Sequence, residues 1–294
     1  MENHGVKLSH PIRGRNLLTR PLFYPEMRMH IVVCIKQIIN PETPAAAFRI
    51  NPEAKRAIPS ENYPTVISDY DHVAVEAALR IKEAKGGEVT VISLGDLSAM
   101  VAIKHCLAMG ADDGILLCDP LFEEEDRSLV AHILAAAIKK LGAFDLILCG
   151  RQEGDWDAGQ VGPGIAEILG IPSVNPVRKV EVNDGMALVV RIVDDGHEVI
   201  ETPLPALLGV SSELGVPRYP TIKGIMAAAK KTVTVWSAQE IGAHMPRHDP
   251  FATRVKMVKL FIPVHEGACE FVTGGTPEEA GANLYLKLRE AKLV

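Results

Sequence analysis

Phe144-Asp-Leu-Ile-Leu-Cys149 runs directly into Gly150-Arg-Gln-Glu-Gly-Asp-Trp-Asp-Ala-Gly-Gln-Val-Gly-Pro-Gly164 and then into Ile165-Ala-Glu-Ile-Leu169. The apolar first run reads as a buried strand and the last as helix. Between them lies a polar, glycine-rich loop. A loop of that kind brings backbone N–H groups to the positive end of a helix, which is a cradle for phosphate. Two readings are open for it: a surface turn capped by Asp157, or a nucleotide site. Ligands of open α/β sheets bind beyond the carboxyl ends of the strands, where this loop falls, and that favours the nucleotide. The spacing is not G-x-G-x-x-G and no Walker lysine follows, so a standard dinucleotide fingerprint and a P-loop are both excluded. Any phosphate is expected on main-chain amides and on Gln160, without a lysine clamp.

Working outward, the chain alternates strands and helices from His30. His30-Ile-Val-Val-Cys-Ile-Lys36, Glu88-Val-Thr-Val-Ile-Ser-Leu94 and Gly114-Ile-Leu-Leu-Cys118 read as buried strands. Asp69 or Asp71 is a candidate cap for a helix whose apolar positions Val73, Ala74, Ala77, Ala78 and Ile81 have helical spacing. Helices are also expected over 98–109, 128–141 and from about 158 to 169. The proline-rich segment 40–67 reads as loop with a small hairpin. Strands separated by helices of this length pair in parallel through right-handed crossovers, giving an open doubly wound α/β sheet. After Pro172 the texture turns antiparallel. Asn183-Asp-Gly185 and Asp194-Asp-Gly196 are hairpin turns between β-rich runs, and Leu204 to Val210 returns as a buried strand. A short helix is expected over 222–231.

Three segments follow: an N-terminal extension over 1–28, a nucleotide-binding domain over 29–242 and a C-terminal arm over 243–294. The extension carries Arg13, Arg15, Arg20 and Arg28 without periodicity and lacks a secretory apolar centre. It reads as disordered, with Met27 or Met29 as alternative starts. The arm offers one β-like run (255–262) and a terminal helix from Pro277 to Lys292. It shows no core of its own, which suits packing on a partner chain.

Composition narrows the class. Of the 294 residues 47% are apolar but only 5% aromatic, so the core is built of Ala, Val, Ile and Leu, as suits a covered parallel sheet. A net charge of −6 with no long block of one sign argues against nucleic acid as partner. The longest apolar runs reach about half of a bilayer span. The five cysteines, Cys34, Cys106, Cys118, Cys149 and Cys269, are scattered and mostly apolar-flanked, which fits a reducing cytoplasm.

Chemical machinery is sparse. Asp155 and Asp157 stand at a spacing more typical of turn chemistry than of an acid/base pair. Trp156 suits stacking on a base or flavin, or simply covering the sheet end. His105 reads as a partly buried helix residue, and Glu123-Glu-Glu-Asp126 as a solvated helix start. No serine, cysteine or lysine stands in a nucleophile motif. A nucleotide site without catalytic groups points to a carrier or binding subunit. The rival is a stand-alone adenine-nucleotide-binding module or small nucleotide-dependent enzyme.

Several separate motifs resemble one family in order along the chain: Val33-Cys-Ile-Lys-Gln37, Ala74-Val-Glu-Ala-Ala-Leu-Arg-Ile-Lys-Glu83, Ala108-Met-Gly-Ala-Asp112, Leu148-Cys-Gly-Arg-Gln152 with Gln160-Val-Gly-Pro163, Val189 to Ile200 with Leu204-Pro-Ala206, and Pro217-Arg-Tyr219 before Gly224-Ile-Met226. From about Met29 onward the chain resembles the beta subunit of electron transfer flavoprotein. The resemblance implies a Rossmann-like sheet of the adenine nucleotide alpha hydrolase type. It also implies a heterodimer with an alpha subunit, FAD shared with that subunit, and AMP or a second FAD in this chain. The cofactor contacts it implies are Cys34, Lys36, Ser68, Asp69, Leu94, Gly150, Gln152, Asp155, Gly159, Gln160 and Val161, with Tyr70 near the flavin. It implies a docking loop for flavin-containing dehydrogenases at about 211–222, with Leu214 as an exposed anchor beside Pro217, Arg218 and Tyr219. The expected role is electron carriage without autonomous catalysis, with NADH oxidation only in a flavin-bifurcating member. Any membrane link would be indirect, through a quinone reductase. Three departures stand out: Ser68-Asp69-Tyr70 where the family often has Asn-Pro-Phe, Gln152-Glu-Gly-Asp155 for Gln-Ala-Ile-Asp, and Gly215-Val216 for Asn-Glu. The first two leave AMP or FAD open, and the third leaves the redox partner open.

Overall fold

The computed structural model describes residues 28–122, 126–242, 255, 257–263, 267 and 269–294. The extension over 1–27 and Glu123 to Glu125 lie outside the described residues. The order is β1 (His30–Ile35), β2 (Gln37–Ile38), β3 (Arg49–Asn51), β4 (Arg56–Ile58), β5 (Val66–Ile67), α1 (Asp69–Lys85), β6 (Glu88–Leu94), α2 (Met100–Met109), β7 (Asp113–Leu117), α3 (Arg127–Leu141), β8 (Leu146–Gly150) and α4 (Val161–Leu169). Then follow β9 (Ser173–Asn183), β10 (Met186–Val193), β11 (Gly196–Pro203), β12 (Ala206–Val210), α5 (Ile222–Lys230), β13 (Thr234–Trp236) and α6 (Pro277–Glu290).

A nine-stranded sheet runs β11-β10-β9-β12-β8-β1-β6-β7-β13. The pairs from β9 through β12, β8, β1, β6 and β7 to β13 are parallel, and β10 is antiparallel to both β9 and β11. This is the doubly wound, mostly parallel sheet with an antiparallel addition that the alternation of elements predicts. Its central strands β1, β6, β7, β8 and β12 are buried on both faces because helices cover both. Ile31, Val33, Leu146 and Leu148 join the core under α1 and α2. Val32, Cys34, Ile147 and Cys149 join the core under α3 and α4. The chain moves from β1 outward to β6 and β7, then returns to the other side of β1 as β8. The strand order therefore switches direction at β1, and a crevice opens at the carboxyl ends there.

Several local expectations are corrected. Neither Asp69 nor Asp71 caps α1; Ser68 occupies that position, without a side-chain cap bond, because Asp71 is turned inward to the sheet. Asp126 is buried and accepts from the Ser128 and Leu129 amides at the start of α3, so it is not a solvated residue. Helix α4 begins at Val161 rather than near 158. Strand β13 extends the sheet at β7; three residues are too few to show a period. The described residues of the 255–262 run form no strand.

The chain divides into two compact units, 1–259 and 260–294. The second carries α6, which starts on a Thr276 cap with Pro277 in its first turn and buries none of its residues. Among the described residues, no helix is long and apolar enough to cross a membrane.

Candidate functional site

The crevice at the switch point is a cleft enclosing about 680 Å³, part of it open to solvent. Its floor comes from the ends of three neighbouring strands: Cys34 to Lys36 from β1, Leu94 from β6, and Cys149 and Gly150 from β8. The loop Arg151 to Glu153 with Gly159 forms one wall, and Arg127, Val130 and Leu134 of α3 form another. The first turn of α4 contributes Val161 and Gly162 and has no side-chain cap. Its amides thus remain directed at the cleft end, where a helix favours negative charge.

Asp71 organises the entrance. It is 6% exposed, and its Oδ2 accepts from the Lys36 amide at 2.8 Å and its Oδ1 from the Gly150 amide at 2.8 Å. One carboxylate thereby ties the ends of β1 and β8 to the first turn of α1. Burial raises its pKa to about 7; the two amides and the Lys36 charge pull the other way, and Glu153 adds to the rise.

The loop is held by ion pairs. Glu153 Oε1 accepts from Arg127 Nε at 2.7 Å, and its Oε2 accepts from the Gly159 amide at 3.1 Å. Burial pushes the Glu153 carboxyl up, but hydrogen bonds from its own amide, Arg127 and Gly159 outweigh it and leave its pKa below the usual value. Lys36 Nζ meets both oxygens of Asp155, at 2.8 and 2.7 Å. Gly154 donates to Ser68 Oγ at 3.2 Å, and Gln152 Nε2 to Asp157 Oδ1 at 2.8 Å. The Arg127 guanidinium lies 5.4 Å from the Trp156 ring centre, and Arg151 lies 5.2 Å from that of Tyr70, both within cation–π range. Trp156 itself is half exposed.

Of the residues singled out in the sequence, Cys34, Lys36, Leu94, Gly150, Gln152, Gly159 and Val161 line this one cleft. Asp155 stands one bond behind it, on Lys36, and Ser68 is outside the lining, bonded to Gly154 of the loop. Asp69 and Gln160 are exposed and outside the lining. The cleft is not without side-chain cations, since Lys36 and Arg127 both reach it. Sequence reasoning missed Asp71, Arg127 and Glu153 as site residues. Asp71 had a readable signal: it shares helical spacing with Ala74, Val75 and Ala78, all buried. Arg127 and Glu153 meet across 26 positions, which no local pattern reveals.

Neither buried thiol of the cleft is poised as a nucleophile. Burial, helped by the Asp71 charge, pushes the Cys34 thiol up to about 12. Burial also raises Cys149 well above its usual value, with Cys34 and Asp71 adding to it. A thiol held protonated is inert.

In the segment 211–222, Leu214 ends a 3-10 turn (Ser212–Leu214) and is half-buried against the core. That corrects its reading as exposed: the Ser211 carbonyl accepts its amide at 3.1 Å and folds it inward. The apolar side chains that protrude are Val216, 80% exposed, Tyr219, 89% exposed, and Ile222, 79% exposed. Pro217 and Arg218 are half-buried.

The family model described as "Electron transfer flavoprotein domain" matches residues 58–241. The chain belongs to the electron transfer flavoprotein family. It is 42% identical over 267 residues to "Electron transfer flavoprotein subunit beta" of Thermoanaerobacterium thermosaccharolyticum, covering 90% of this chain and 100% of that one. It is 39% identical, again over 90% and 100%, to "Caffeyl-CoA reductase-Etf complex subunit CarD" of Acetobacterium woodii. To "Protein FixA" of Azorhizobium caulinodans it is 37% identical over 73% of this chain and 77% of that one. As a beta subunit of electron transfer flavoprotein, this protein is part of an electron-transfer system rather than a free-standing nucleotide module.

Proposed function

We propose that the switch-point cleft holds the adenine nucleotide of this electron transfer flavoprotein subunit, AMP or FAD. The carrying observation is convergence: three strand ends, a glycine-bearing loop, an uncapped helix start and two cations meet in one cleft. The residues fit such a group. Gly159 stands at φ 62 and a Cβ there would come within 3.3 Å of the Arg151 carbonyl, so the loop keeps its tight path only with glycine. The amides of Val161 and Gly162 at the uncapped start of α4 suit phosphate oxygens, and Lys36 and Arg127 supply positive charge. Leu94, Val130 and Leu134 form an apolar wall suited to a base. Cys34 packs as part of the floor, and Gln152 and Asp155 shape the loop.

The heterodimer completes the carrier. Tyr70, at the start of α1, is the aromatic nearest the flavin shared with an alpha subunit. The arm over 243–294 packs on that subunit; α6, which buries none of its residues fully and leaves Leu284, Tyr285 and Leu286 exposed, supports this. Residues 211–222, with Leu214, Pro217, Arg218 and Tyr219, face a flavin-containing dehydrogenase. A flavin, when bound, supplies the one- and two-electron chemistry; this chain's residues bind, orient and exclude water.

The test is co-expression with the alpha subunit, followed by extraction of bound nucleotide and flavin counting. One flavin per heterodimer with one AMP identifies a simple carrier. Two flavins identify a second FAD in this chain and NADH as a candidate donor. A heterodimer that carries no nucleotide in this subunit sinks the proposal.

A further inference from the structure

The best-organised polar cluster outside the cleft joins α1 to the segment 211–222. Glu76 lies on the buried side of α1 and is 3% exposed. A carboxylate so buried persists only when fully bonded. Its Oε2 accepts from the Arg218 amide at 3.1 Å and from Arg218 Nε at 2.7 Å. Its Oε1 accepts from Arg218 Nη2 at 3.2 Å and from Arg80 Nε at 2.7 Å. Arg218 extends to Glu83, donating from Nη2 to Oε2 at 3.1 Å and from Nη1 to Oε1. Arg80 reaches back to the same segment, with Nη2 3.3 Å from the Val216 carbonyl and Nη1 3.5 Å from that of Leu214. One buried carboxylate thus fixes both the backbone and the side chain of residue 218, and through Arg80 the two carbonyls before it. Val216 and Tyr219, which flank this anchor, are left the most exposed of the segment's large apolar side chains.

We infer that Glu76 is the positioning residue of the docking surface, holding residues 214–219 in one conformation so that Val216 and Tyr219 are presented ready-made to an apolar recess of the partner dehydrogenase. The inference rests on the docking role proposed above for 211–222. A loop already fixed in its bound form loses less conformational freedom when a partner binds. The clamp therefore acts on the encounter with the dehydrogenase and leaves the electron-transfer step alone.

The experiment uses the heterodimer with Glu76→Gln and, separately, Glu83→Gln, which removes only the exposed outer half of the clamp. Amide hydrogen exchange at 214–219 reads the ordering of the loop directly. Steady-state reduction by an acyl-CoA dehydrogenase that reduces the wild-type heterodimer reads docking. Dithionite reduction and flavin content read the cofactor site. Glu76→Gln is expected to speed exchange at 214–219 and raise KM for the dehydrogenase about tenfold, with kcat within about twofold of wild type. Glu83→Gln is expected to shift both in the same direction by less. Flavin content and dithionite reduction stay unchanged in both. Unaltered exchange in both variants overturns the positioning role. Faster exchange with an unaltered KM shows a clamped loop that is not the docking surface, which overturns the inference through its premise. If Glu76→Gln does not fold, Glu83→Gln decides by the same two readouts.

Discussion

Gly150 and Asp71 lie so close that a Cβ on residue 150 would stand 2.7 Å from Asp71 Oδ1 and 2.6 Å from the Tyr70 Cβ. Across that gap the Gly150 amide donates to Asp71 at 2.8 Å. The glycine is required here by close approach, not by its backbone angle. Gly150→Ala is expected to force Asp71 off both strand ends and lower stability by about 1–3 kcal/mol, with loss of bound nucleotide. Urea denaturation and nucleotide extraction check this; a variant that keeps full stability and content refutes the close packing.

Asp71 also makes stability depend on pH. Its carboxyl titrates near 7 in the fold against an ordinary 3.8. Below the ordinary value both folded and unfolded chains hold the proton, and the group's contribution is complete. As pH rises toward 7 the unfolded chain releases a proton that the fold retains, so stability falls through this window and levels off above it. At 1.36 kcal/mol per pKa unit the group accounts for at most about 4 kcal/mol. Asp71→Asn is expected to flatten that decline, read as the difference in unfolding free energy between wild type and variant from pH 5 to 8. Parallel curves for the two proteins count against it.

Glu153 shows the opposite sign. Its pKa is depressed in the fold, so its contribution is present above the usual carboxylate range and disappears as pH falls through the folded value. Glu153→Gln breaks the pair with Arg127 and weakens the bond to Gly159. It is expected to loosen the loop and lower nucleotide affinity about tenfold, roughly 1.4 kcal/mol, with the larger difference at neutral pH than at pH 4. Calorimetric titration of the nucleotide-stripped heterodimer with AMP would show it, and equal affinities at neutral pH would exclude the role.

Gly159→Val is expected to abolish nucleotide retention. A branched residue at φ 62 is strained, by about 1–2 kcal/mol for the left-handed backbone alone, and its side chain obstructs backbone approach to a phosphate. Unchanged nucleotide content in the purified variant removes the site from this loop.

Packing beneath the cleft offers a test by rescue. A Cβ on Gly162 would meet Cys149 Sγ at 2.7 Å, so Gly162→Ala is expected to lift α4 from the sheet at a cost of about 1–3 kcal/mol. Adding Cys149→Ala frees the space and should recover part of that loss. Additive destabilisation in the double variant means that α4 does not rest on this sulfur.

The order of elements was legible because it is local. The apolar run His30 to Ile35 and the spacing Val73, Ala74, Ala77, Ala78 carry their period within one strand or helix, and hydrophobic burial acts on that period directly. The loop from Gly150 to Gly164 was legible because glycines cluster where a strand hands over to a helix. Strand β13 was not, since three residues have no period. Leu214 was misread as exposed because its burial depends on a turn packed against distant residues.

Sequence alone therefore determined a doubly wound sheet, and the structure has a cleft at the carboxyl edges of β1, β6 and β8. Only tertiary structure decided which side chains hold that cleft and the segment 211–222 in place. Asp71 reaches Gly150 across 79 positions, Lys36 reaches Asp155 across 119, and Arg218 reaches Glu76 across 142. Charged and hydrogen-bonded pairs take their strength from distance and burial, which separation along the chain does not encode.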